Sequence, residues 1–113
     1  MNSQSQSTLS GKTAITDVAR VIRSKNAGPF ELTLDILFNN AEEYERFRES
    51  GVMTPETVAS LYHVRVEDVL GLIYFEPAHA VKMTLRRRVA SGSPGDSDIY
   101  GSQQHAPLLS LRY

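Results

Sequence analysis

The clearest pattern in the chain is the strict alternation from Phe30 to Phe38. Phe30, Leu32, Leu34 and Ile36 point one way, and Glu31, Thr33 and Asp35 the other. A period of two over nine residues predicts a half-buried strand. The period then changes. Asn40 stands where a helix cap belongs, with Glu43 three residues on, Tyr44 and Phe47 on one face and Gly51 as a stop. A second helix is predicted from Thr54 and Pro55, with Val58, Leu61 and Tyr62 as its apolar stripe. Val69 to Phe75 is almost continuously apolar and rich in β-branched and aromatic residues, which predicts a well-buried strand.

Three segments read less simply. Ile15, Val18 and Ile22 suit a helix behind Thr16, while Val18, Arg20 and Ile22 alternate as a strand does. Ala78, Val81 and Leu85 fit a short helix, yet Val81, Met83 and Leu85 fit a strand ending at Arg86-Arg87-Arg88. Leu108 to Tyr113 reads as a closing strand. Intermixed strands and helices with short linkers predict an α+β domain. The architecture expected is ferredoxin-like, an antiparallel sheet of about four strands with helices packed on one face.

Composition narrows the class. The 113 residues suffice for one domain. The Ser/Gln-rich first dozen residues predict a disordered tail over 1–13, followed by a single domain over 14–113. No cysteine is present, so disulfide and thiolate chemistry are excluded, in keeping with a cytoplasmic setting. A net charge of −1 argues against general nucleic-acid binding. No apolar run is long enough to span a bilayer. The stretch from Thr57 to Leu70 echoes a helix-turn-helix, but Glu67 and Asp68 at the start of its second element would repel phosphate.

Two polar segments carry the candidate chemistry. Arg23-Ser24-Lys25-Asn26-Ala27-Gly28-Pro29 reads as a basic loop whose Arg23, Ser24, Lys25 and Asn26 offer donors to a carboxylate or phosphate. Gly28 would let the backbone approach a ligand closely. The equally simple alternative is an ordinary basic turn. The long loop from Ser91 to Pro107 holds Gln103, Gln104 and His105, and His105 is the candidate for proton transfer. Asp96 and Asp98 could meet a hard cation, although turn chemistry accounts for Asp96 equally well. His63 and His79 show no zinc-like spacing, and neither a metal nor a cofactor is expected. The triple arginine suits a cationic helix end.

The stretch Val21 to Asp35, and Ser91-Gly92-Ser93-Pro94-Gly95-Asp96 with Tyr100-Gly101 and Gln103-Gln104-His105-Ala106-Pro107-Leu108, resemble the small-protein family designated domain of unknown function 4387. The resemblance runs from about residue 14 to the C-terminus. It implies a larger partner similar to acyclic terpene utilisation protein A (AtuA-like). That larger family often ends in a ferredoxin-like domain with an Arg-Ser-Gly-Asp-Lys-Gly loop. Arg23-Ser24-Lys25-Asn26-Ala27-Gly28 is similar to that loop. It keeps the Arg-Ser pair and a glycine but lacks the aspartate, so no role of that carboxylate carries over. The resemblance favours a strand over residues 17–23.

Two functions are therefore expected. One is the small subunit of a two-component hydratase or lyase acting on a carboxylate or acyl substrate. Arg23, Ser24, Lys25, Asn26 and Gly28 would bind the anionic group, with Gln103, Gln104 and His105 across the cleft. The other is a non-catalytic module that assembles homo- or hetero-oligomers.

Overall fold

The computed structural model describes residues 11–87 and 105–113. A helical turn, α1 (Ile15–Val18), leads directly into β1 (Ala19–Gly28), so the ambiguous first segment divides between its two readings. A hairpin turn at Pro29-Phe30 leads to β2 (Glu31–Phe38). Two helices follow, α2 (Ala41–Ser50) and α3 (Pro55–Tyr62), then a second hairpin, β3 (Val69–Phe75) and β4 (Ala80–Arg86). The four strands form one antiparallel sheet in the order β1-β2-β4-β3. The domain is α+β, with the layers expected. The chain visits them as two hairpins bracketing a helical pair.

Local chemistry explains the helices. Asn40 Oδ1 accepts from the Glu43 N–H at 2.9 Å, acids Glu42 and Glu43 occupy the first turn and Arg48 the last. Gly51 stops α2 in the left-handed conformation at φ 69°. Thr54 caps α3 by accepting from the Thr57 N–H at 3.1 Å, and Pro55 sits in the first turn, where its missing N–H costs nothing. The second half of the suspected helix-turn-helix is not a helix. Val66–Asp68 makes a single 3-10 turn and runs into β3.

The core lies between the helices and one face of the sheet. Leu32, Leu34, Ile36, Phe38, Val81, Met83 and Leu85 project inward and are buried. Against them pack Ile15 from α1, Tyr44 and Phe47 from α2 and Val58 from α3. Phe47 is fully buried, with its ring 4.9 Å from Phe38 and 5.0 Å from Tyr113. Burying such a side chain contributes about 1.5–3 kcal/mol.

The C-terminus departs from the strand expected there. Ala106–Ser110 is a 3-10 helix. Pro107 at its start supplies no N–H for a ladder and fixes φ, while Leu108 and Leu111, three residues apart, bury together. Only a single bridge, Ala14 to Arg112, remains of strand pairing. The Thr13 N–H donates to the Tyr113 carbonyl at 2.8 Å, the Tyr113 N–H donates back to the Thr13 carbonyl at 3.0 Å, and Arg112 Nε donates to the Gly11 carbonyl at 2.8 Å.

The expected full burial of Val69–Phe75 is also corrected. β3 is an edge strand, and Leu70, Ile73 and Phe75 are largely exposed. No helix among the described residues is long and apolar enough to cross a membrane.

Candidate functional site

The segment read as a basic loop is strand. Residues 23–28 belong to β1, and Gly28 already pairs with Glu31 across the hairpin. Strand alternation therefore splits the four expected ligand residues between two faces. Arg23 and Lys25 lie exposed on the face away from the helices. Ser24 turns inward and is buried at 7% exposure, level with Leu34. Asn26, on the inward side, accepts from Arg87 Nη1 at 2.6 Å.

At Gly28 the backbone itself calls for glycine. Its φ is +145°, and a Cβ placed there would meet nothing within 4 Å. The hairpin needs its backbone conformation. His105 caps the C-terminal 3-10 helix, which packs through Leu108 into the helical layer beside α1. Arg23 and Lys25 thus belong to the open face of the sheet and His105 to the layer behind it. Gln103, Gln104, Asp96 and Asp98 lie outside the described residues.

The open face is organised in rows that cross all four strands. The central row is Arg23, Asp35, Lys82 and Ile73, each paired with the next. Toward the β1–β2 turn the row is Lys25, Thr33, Thr84 and Gly71. On the other side it is Val21, Leu37, Ala80 and Phe75. Opposed residues on one face touch, so each row acts as a unit.

Charge is concentrated in the central row. Arg23 Nε donates to Asp35 Oδ2 at 3.0 Å, and Lys82 Nζ stands 3.9 Å from Asp35 Oδ1. The Asp35 side chain is 11% exposed, whereas those of Arg23 and Lys82 are 58% and 49% exposed. Asp35 Oδ1 is buried and has no hydrogen-bond partner. With Lys25, three cations surround one sunken carboxylate, so the face carries a net positive charge toward solvent. A depression of about 470 Å³ is lined here by Arg23, Lys25, Ala27, Thr33, Asp35 and Lys82. Thr33 Oγ1 donates to the Lys25 carbonyl at 3.1 Å, tying the two strands at its floor.

Asp35 and Lys82 were not singled out from sequence, although the signal was present. Asp35 is a polar member of the safest alternating strand, and Lys82 is the charged residue between Val81 and Met83. Arg86 and Arg87 pair with other partners. Arg86 Nε lies 3.9 Å from the buried carboxylate of Asp68, and Arg87 is held by Asn26. They end a strand, not a helix as their charge had suggested. Among the described residues, no group of three or more His, Cys, Asp or Glu is placed to hold a metal ion.

No curated protein and no solved structure matches the chain. One family profile does, over residues 15–112, which is most of the chain. The chain belongs to the family described as domain of unknown function (DUF4387).

Proposed function

We propose that this domain is an anion-binding small subunit, which supplies a carboxylate-recognition face to a larger enzyme. The observation that carries the reading is the central row: Arg23 and Lys82 flank Asp35 on a sheet face left uncovered by the described residues, with Lys25 beside them. Arginine and lysine forks facing solvent from rigid strands are preorganised for an anionic group. The single sunken carboxylate fixes the cations in place without cancelling them.

The larger component of the reading is an AtuA-like protein acting as a hydratase or lyase on a carboxylate or acyl substrate. It rests on the family resemblance. His105 remains a proton-transfer candidate only through the partner or a second copy, since it lies in the other layer. A second reading is favoured by Ile73 and Phe75, 58% and 47% exposed on the same face. Exposed apolar side chains of this size mark assembly surfaces, so the domain would then be a non-catalytic module.

Reconstitution separates the two. The chain is co-expressed with an AtuA-like partner, and complex formation and carboxylate binding are measured for wild type, Arg23→Ala and Lys82→Ala. Loss of carboxylate binding with the complex intact supports the subunit reading. Loss of the complex with carboxylate binding unchanged replaces it with the module.

A further inference from the structure

The charged depression does not end at the central row. A second, narrower trough of about 110 Å³ shares Arg23, Asp35 and Lys82 with it and continues over Leu37, Phe75, Ala78 and Ala80. The register explains why. Moving two residues along each strand replaces the Lys25–Thr33–Thr84 row by the charged row, and then by Val21, Leu37, Ala80 and Phe75. Polarity therefore changes in one direction along the strands, from hydroxyl and ammonium groups to an apolar wall. Ala78 and Ala80 are small, and this leaves room above the sheet where larger residues would fill it. Phe75 stands at the outer edge as a half-exposed wall.

We infer that the ligand of this face is a monocarboxylate with a short apolar tail. Its head group sits over Arg23 and Lys82, and its tail lies in the trough between Leu37, Phe75 and Ala78. This rests on the anion-binding reading above and adds the class of anion. Charge complementarity fixes the head: the face offers three cations to one carboxylate. A dicarboxylate such as succinate would place its second charge on the apolar wall, and phosphate has no tail to fill the trough. The apolar row fixes the tail, since each methylene withdrawn from water strengthens binding by about fourfold. The small trough volume fixes the length, because carbons beyond the first few project into solvent and gain nothing.

The test is titration calorimetry of the full chain with sodium acetate, butyrate, hexanoate and decanoate, alongside inorganic phosphate and succinate. Affinity is expected to rise at least tenfold from acetate to hexanoate, then level off at decanoate. Succinate should bind no better than acetate, and phosphate, which has no tail, should bind more weakly than hexanoate. Phe75→Ala, which removes one wall, and Ala78→Leu, which fills the trough, should each flatten the rise from acetate to hexanoate. Lys82→Ala should weaken every member alike. Circular dichroism confirms that each variant is folded.

A flat series with saturable acetate binding overturns the tail assignment and leaves the anion face standing. Absence of binding by every probe removes both. If the chain is a dimer that Phe75→Ala converts to a monomer, with no carboxylate bound by either form, the face belongs to a second copy and the inference fails.

Discussion

Asp35 and Lys82 face each other across β2 and β4, with Lys82 Nζ 3.9 Å from Asp35 Oδ1, while Arg23 grips the other carboxylate oxygen at 3.0 Å. The carboxylate is sunken and its partners are half exposed, so its main effect is on where the cations stand. Replacing it with the neutral Asn keeps the shape and removes the negative charge. Asp35→Asn should cost only about 1 kcal/mol or less of stability, because both partners are solvated and screened. Carboxylate affinity should rise at the same time, most clearly at low salt. Denaturant midpoints and carboxylate titrations on the same variant check both. A fall in affinity would show that Asp35 organises the site more than it opposes the ligand.

The β1–β2 hairpin turns on Gly28, whose φ of +145° is a conformation that side chains with a Cβ rarely adopt. Gly28→Ala should destabilise the domain by about 1–3 kcal/mol, although nothing stands within 4 Å to clash with the added methyl. Ala27→Gly, one residue earlier, serves as the control. Equal midpoints for Gly28→Ala and wild type would mean that the hairpin relaxes to another turn.

Four tyrosines link the fold to alkaline pH. Burial pushes the hydroxyls of Tyr44, Tyr62, Tyr74 and Tyr113 above their ordinary value of 10.0, most strongly at Tyr62. The folded state therefore holds these protons to higher pH than the unfolded chain does. Their contribution to stability is complete below about pH 10 and is lost progressively as pH rises beyond it. The absorbance of these four tyrosinates should appear together with loss of circular dichroism, not before it. Stepwise ionisation of these four in the still-folded protein would contradict this.

Much of the scaffold was legible in the sequence because its signals were local. The alternation of Phe30 to Phe38, the Asn40 and Thr54 caps and the Gly51 stop each act within a few residues, and each stands where expected. The errors share a different cause. Arg23 to Gly28 carries turn-forming residues, but pairing with β2 overrides that local preference and draws the segment into the sheet. Leu108 to Tyr113 has strand-like composition, yet Pro107 and the burial of Leu108 with Leu111 set Ala106–Ser110 as a 3-10 helix and leave only the Arg112 bridge beyond it. The candidate site was half legible. Arg23 and Lys25 stood out by charge, whereas Asp35 and Lys82 join them only through register, which no single-chain pattern specifies. The exposure of Phe75 likewise depends on β3 being an edge.

The most direct measurement is an NMR titration of the isotope-labelled chain with sodium butyrate, with backbone amides assigned. Saturable shifts should concentrate on Arg23, Lys25, Thr33, Asp35 and Lys82, extend to Phe75 and Ala80, and vanish in Lys82→Ala. A titration without saturation, or one whose shifts gather around His105 and Leu108 and leave the open face silent, would contradict the assignment of this face as the anion site.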